Sequence, residues 1–171
     1  MADYKEIYFA GGCFWGTEKA FQYLHGVVDT TVGYANGTVA SPSYELVKTD
    51  TTGHRETVKV VYDPDVISLN KLLTAYFMII DPTVSNRQGH DIGSQYQTGV
   101  YYVDEESGKT AEKVFEEKRR QFSPFCVELA PLSCFYDAEE YHQDYLVKNP
   151  SGYCHISRKE YDRVKALNDT D

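Results

Sequence analysis

The chain is predicted to fold as a single α+β domain, a mixed β-sheet with helices packed on its faces. Three observations predict it. Residues 54–62 alternate cleanly, as a half-buried strand does: His54, Glu56, Val58, Val60 and Tyr62 share one side, and Arg55, Thr57 and Lys59 the other. Residues 68–80 carry the opposite period, with Leu69, Leu72, Leu73, Tyr76, Phe77 and Ile80 at helical spacing. Strands and helices alternate along the chain, but the strands are few and no strict βαβ rhythm appears, which excludes an all-parallel sheet.

Taken in order, Ile7, Tyr8, Phe9 and Ala10 form an apolar run that reads as a strand buried on both sides. Gly11-Gly12 breaks it, and Phe14, Phe21 and Leu24 predict a helix stopped at Gly26. Cys13 therefore falls at the strand-to-helix turn, where unpaired N–H groups and the helix dipole favour a thiolate. Residues 27–33 read as a strand, closed by the Asn36-Gly37 turn signal. Residues 38–54 are polar and loop-like. After the alternating strand, Ser68 is the predicted N-cap of the periodic helix, which Asp81-Pro82 ends. Residues 83–95 lack any period and are long enough to suggest a functional loop. A strand over 96–103, an amphipathic helix over 107–122, a strand over 125–129 and a Tyr-rich helix over 137–148 follow. Ser157 and Glu160 form a capping box for a last short helix. The expected boundary sets a catalytic domain at 1–156 and a C-terminal helix and tail at 157–171.

Composition narrows the function. A length of 171 residues suits one domain with a real core. The net charge of −9 argues against a nucleic-acid binder. No apolar run reaches transmembrane length, and the N-terminal residues lack a hydrophobic signal core, so the expected location is cytoplasmic. Four cysteines in such a chain read as redox or catalytic thiols before they read as a disulfide scaffold.

Glu56 sits on the apolar side of its strand, where ionisation is costly; from alternation alone it is either a strand-end carboxylate paired with a Lys or Arg, or a carboxyl whose raised pKa lets it act as a general acid. Cys154 follows Pro150-Ser151-Gly152, a mobile-looking arm on which a second thiol could reach an oxidised Cys13. Cys126 and Cys134 read as structural. Tyr44 and Tyr96 are candidate hydroxyl donors among 15 tyrosines. No Cys/His spacing matches a zinc site. Two rival chemistries stay open: a Cys/His hydrolase in which His54, His90 or His142 activates Cys13, and a structural metal or redox module using several of the cysteines.

Gly12-Cys13-Phe14-Trp15-Gly16 with Glu18 resembles the signature of the A-type peptide methionine sulfoxide reductases. Further ordered blocks carry the same resemblance. They are Pro42-Ser43-Tyr44-Glu45, Gly53-His54-Arg55-Glu56, Asp81-Pro82-Thr83, the run from Asn86 to Tyr96, and the run from Phe135 to Tyr145. The resemblance implies that Cys13 attacks the sulfoxide sulfur and that Phe14 and Trp15 wall the substrate methyl group. It further implies that Glu56 protonates the oxygen, that Tyr44 and Tyr96 hydrogen-bond it, that Asp91 supports the site and that Cys154 is the resolving thiol. The implied substrate is the S epimer of methionine sulfoxide, free or in oxidised proteins. The implied reductant is thioredoxin, with no metal and no organic cofactor. Gln97-Thr98 departs from the Arg-Ser common in the family, and the tail after Gly152-Tyr153-Cys154-His155-Ile156 resembles that of members fused to a B-type reductase.

Overall fold

The computed structural model of the chain describes residues 3–152, Cys154 and residues 156–170. Strand β1 (Lys5–Ala10) leads through the Gly11-Gly12 turn into helix α1 (Phe14–Gln22), and β2 (Val27–Ala35) follows. A short helix α2 (Tyr44–Lys48) precedes β3 (Arg55–Tyr62) and helix α3 (Leu69–Ile79). A small hairpin, β4 (Arg87–Gln88) and β5 (Asp91–Ile92), runs into a 3-10 turn at Ser94–Tyr96. Then come β6 (Gly99–Tyr102), helix α4 (Glu105–Gln121), β7 (Glu128–Pro131) and β8 (Phe135–Asp137). A 3-10 turn at Glu140–His142, the short helix α5 (Tyr145–Lys148), helix α6 (Arg158–Ala166) and a 3-10 turn at Leu167–Asp169 complete the order.

Six strands form one mixed sheet in the order β7-β6-β1-β3-β2-β8. The β6–β7 pair is parallel and the other neighbours are antiparallel. Registers such as Phe9↔Val58 and Tyr34↔Glu56 put the apolar residues of three central strands on one side. That side joins α1, α3, α4 and α6 in a core containing Phe9, Phe21, Leu72, Tyr76, Phe115 and Val164. The opposite side, around Tyr8, Ala10, Ala35 and Tyr101, is covered by Ala130, Leu132 and Phe135.

The α1, α3 and α6 predictions hold, down to the Ser68 cap and the Ser157–Glu160 capping box. Other elements differ. The loop expected over 38–54 contains α2, because the Ser43 hydroxyl accepts the Leu46 N–H and caps a turn. Tyr96 ends a 3-10 turn, and the strand begins only at Gly99. Cys126 lies before β7 in an irregular segment, its N–H donating to the Pro82 carbonyl. The Tyr-rich helix expected over 137–148 is broken into a strand end, a 3-10 turn and α5. Asp144 there takes a left-handed conformation at φ +54°, which interrupts any continuous helix.

Candidate active site

The end of β1 and the start of α1 bring Cys13 to the heart of the molecule. Gly12 takes φ +83°, a conformation open to glycine and strained for other residues, and this turns the chain from strand to helix. Thr17 Oγ1 donates to the Gly11 carbonyl at 3.1 Å, and the Tyr76 hydroxyl donates to the Ala10 carbonyl at 2.7 Å. Cys13 becomes the N-cap of α1 and is buried.

Glu56 enters from β3 with a relative exposure of 1%. Its Oε1 accepts the Phe14 N–H at 3.2 Å, while Oε2 has no hydrogen-bond partner among the described residues. Burial pushes its pKa up to about 8; the Phe14 N–H opposes this, and the Asp91 charge adds to it. At neutral pH the carboxyl therefore holds a proton.

Burial also raises the Cys13 thiol well above its ordinary value, assisted by Glu56, Asp91 and Cys154 and opposed by the Trp15 N–H. This corrects the thiolate expected from the helix terminus. Desolvation of a buried sulfur outweighs one turn of helix dipole, so the resting pair is thiol and carboxylic acid.

Tyr44 opens α2, its N–H bonded to Glu139 Oε2 at 3.1 Å, and its ring lies 5.6 Å from Lys48 Nζ. Tyr96 closes the 3-10 turn whose Ser94 N–H and hydroxyl both bond to Asp50. Burial and then the nearby Glu56 raise the pKa of both phenols, so both stay protonated donors. Asp91 in β5 lies within electrostatic range of Cys13, Glu56, Tyr44 and Tyr96. The site thus joins four separate segments of chain.

The Trp15 ring is fixed from two directions. Its Nε1–H donates to His142 Nδ1 at 3.0 Å, and Tyr145 stacks on it with ring centroids 3.9 Å apart at 14°. His142 is 1% exposed, and burial holds its pKa below the usual value, so it is a neutral acceptor. It also packs against Tyr44 at 4.3 Å and Phe14 at 5.2 Å. His142 is thus a hydrogen-bonded packing residue, at the end of a 3-10 turn and not within a helix. His54 spends Nδ1 on the Gly37 N–H and Nε2 on the Val39 carbonyl, which leaves it no role as a base toward Cys13. Among the described residues no group of three or more His, Cys, Asp or Glu side chains is arranged to hold a metal ion.

Glu18 supports this wall from behind. It is 1% exposed, and its carboxylate accepts the Thr30 hydroxyl at 2.9 Å and the Asp144 N–H at 2.8 Å. That second bond holds the left-handed Asp144, from which Tyr145 follows directly onto Trp15. Burial raises the Glu18 pKa to about 7. Glu18→Ala is expected to cost about 2 kcal/mol, since it removes the two hydrogen bonds that the buried carboxyl accepts from Thr30 and Asp144. It should also shift the emission of Trp15, the chain's only Trp. Urea unfolding monitored by fluorescence measures both. The anchoring of Trp15 by His142 and Tyr145 was not legible in the sequence, where the hydrogen-bonded partners stand 127 residues apart; only the Glu18 position within the Cys13 motif gave a hint.

Cys154 lies against α1, its Sγ 2.8 Å from the Tyr161 hydroxyl. Tyr153 and His155, which flank it in the motif, lie outside the described residues. Cys134 and Cys126 are elsewhere, their sulfurs 3.7 Å from the Gly37 carbonyl and 3.6 Å from that of Thr83.

The peptide methionine sulfoxide reductase family model matches residues 5–170. The chain belongs to that family. It is an oxidoreductase of the A type: a peptide methionine sulfoxide reductase MsrA from Lachnoclostridium phytofermentans is 52% identical over 162 residues, covering 94% of this chain and 98% of the relative. Among solved structures, Mxr1 from Saccharomyces cerevisiae in reduced form is similar with a TM-score of 0.85 and 40% identity, covering 92% of this chain and 94% of that one. The same yeast protein in complex with Trx2 matches with a TM-score of 0.61 and 30% identity, over 85% and 88% of the two chains. The family match thus runs through α6, whose Tyr161 and Val164 are buried in the common core. Among the described residues no helix is long and apolar enough to cross a membrane.

Proposed function

We propose that the chain reduces the S epimer of methionine sulfoxide, free or within oxidised proteins, through a Cys13 sulfenic acid that Cys154 resolves and thioredoxin recycles. The observation that carries this reading is Glu56. It is a fully buried carboxyl, protonated at neutral pH, with one oxygen anchored on α1 and the other without a hydrogen-bond partner among the described residues, and it acts electrostatically on Cys13.

A sulfoxide oxygen is a poor leaving group until it is protonated. Glu56 gives that proton while Tyr44 and Tyr96 donate hydrogen bonds to the same oxygen. Cys13 attacks the sulfoxide sulfur, and its thiol proton replaces the one Glu56 has given. In the net change, the sulfoxide and the Cys13 thiol become a thioether and a Cys13 sulfenic acid. The oxygen passes to Cys13, the substrate sulfur gains two electrons, and Cys13 loses them. Phe14 and the clamped Trp15 offer the apolar wall for the methyl group, which separates methionine sulfoxide from more polar sulfoxides. Asp91 sustains the high pKa of Glu56.

Recycling by thioredoxin is supported by the similarity to Mxr1, which has been solved with Trx2. Four free cysteines and an acidic composition suit a reducing, cytoplasmic setting.

The test is an assay on separated R and S epimers of a methionine sulfoxide peptide and of the free amino acid, with thioredoxin as reductant. Methionine is expected from the S epimer only, in both forms. No methionine from the S epimer, or methionine from the R epimer in its place, would remove the reading.

A further inference from the structure

Gly16 lies in the first turn of α1, three residues after Cys13 and so on the same side of the helix. Its bare face is crowded. A Cβ placed there would stand 3.0 Å from Cys154 Sγ, 3.2 Å from Ile156 Cδ1 and 3.3 Å from the Tyr161 hydroxyl. Cys154 thus rests against helix backbone at a point any side chain would fill. Tyr161, from α6, completes the contact. It is 7% exposed, and its hydroxyl donates to the Gly16 carbonyl at 3.1 Å while standing 2.8 Å from Cys154 Sγ. The phenol and the thiol are hydrogen-bonded, with either able to donate, and Cys154 Sγ also lies 3.4 Å from the Ile156 carbonyl. Through Tyr161 and the Gly16 carbonyl, these contacts tie the thiol to α1. The Ile156 N–H adds a weak contact to the sulfur at 3.4 Å. Lys19 Nζ stands 5.3 Å from the centroid of the Tyr161 ring, and Tyr23 meets it edge-on at 5.5 Å, so the ring is held from the α1 side as well. The two sulfurs also interact electrostatically, as expected for side chains that both lie at the first turn of α1.

We propose that Gly16 and Tyr161 form a docking site for the Cys154 thiol, and that both are positioning residues for the second half of the cycle, in which the Cys13 sulfenic acid becomes a disulfide. The proposal rests on the reading of Cys154 as the resolving thiol. In that step the Cys154 sulfur attacks the Cys13 sulfur, the S–S bond forms and the Cys13 S–O bond breaks. Hydroxide leaves and takes up the Cys154 proton as water. Cys154 is oxidised, and the sulfenic acid is the oxidant. Docking matters here because closing a long chain segment onto one atom is entropically costly, and a sulfenic acid left waiting is open to further oxidation. A free arm would make this approach by diffusion; a docked thiol starts beside its target.

The experiment mixes stoichiometric S-epimer methionine sulfoxide with reduced protein, without reductant, and quenches over time. Released methionine, dimedone-trapped sulfenic acid and the Cys13–Cys154 disulfide are quantified for wild type, Tyr161→Phe, Gly16→Ala and Cys154→Ser. Tyr161→Phe keeps the ring and loses only the hydroxyl. It is expected to release methionine at the wild-type rate and to form the disulfide about 10-fold more slowly, the effect of losing one hydrogen bond. Dimedone adduct accumulates accordingly. Gly16→Ala, whose new Cβ displaces the sulfur, is expected to show the same slowing of the disulfide step. Disulfide formation at the wild-type rate in Tyr161→Phe overturns the proposal. Loss of sulfenic acid in Cys154→Ser as fast as in wild type overturns the resolving assignment beneath it, and an absence of methionine from wild type overturns the reaction itself.

Discussion

Glu56→Gln is expected to slow the first-turnover release of methionine by about 10²–10⁴-fold, the range of a lost general acid. The amide retains the shape, and its oxygen still accepts the Phe14 N–H. Its NH2 can hydrogen-bond a sulfoxide oxygen but has no proton to give up. The pH profile separates this from a packing defect. In wild type the first turnover should decline as pH rises through about 8, where Glu56 ionises. The glutamine variant should lack that limb. Wild-type stability should fall with pH in the same direction. Burial raises the Glu56 pKa from its ordinary 4.5 to about 8, so the folded state holds the proton more tightly than the unfolded chain. The stability this residue contributes is fully present below about 4.5 and is lost as pH climbs to about 8. Over that window the loss is roughly a few kcal/mol. Glu56→Gln, which does not titrate, should therefore melt above wild type at about pH 8 to 9 and differ less at about pH 5. Stopped-flow turnover and thermal melts across pH measure the two effects. Activity lost together with stability at every pH would count against the acid role.

Cys154→Ser is expected to leave the first methionine intact and to lower thioredoxin-driven turnover by about 100-fold or more, since thioredoxin would then lack a disulfide to attack. Dithiothreitol, which reaches a sulfenic acid directly, should restore much of the turnover. Mapping after one turnover should find Cys13 joined to Cys154. Cys134 and Cys126 are held near the Gly37 and Thr83 carbonyls, and neither is among the groups acting electrostatically on Cys13. A Cys13–Cys134 bond, or full thioredoxin turnover in Cys154→Ser, would reassign the second thiol.

How much of this was readable in advance depended on how local the cause was. The strand at 54–62 and the helix at 68–80 were legible because one period of hydrophobicity, repeated over two or three turns, specifies a buried face without knowledge of what covers it. Helix α6 was legible from its capping box, a contact within four residues. Elements that exist through distant partners were not. Strand β8 has three residues and forms by pairing with β2, with Tyr136 opposite Tyr34. The segment at 137–148 had helical composition, but Glu18, more than a hundred residues earlier, accepts the Asp144 N–H and holds the chain in a left-handed turn.

The sequence by itself determined the mixed α+β architecture, the strand-to-helix placement of Cys13 and, through ordered motifs, the family. It determined that Glu56 lies on an apolar face. The tertiary structure decided protonation and position. Glu56 and Cys13 are both protonated at rest because desolvation on all sides outweighs a nearby helix terminus, a balance that no local segment specifies. Trp15 is held by His142 and Tyr145, and Cys154 by Gly16 and Tyr161, because packing brings remote segments within hydrogen-bond distance. Periodicity tells which way a side chain faces; what it meets there depends on the rest of the fold.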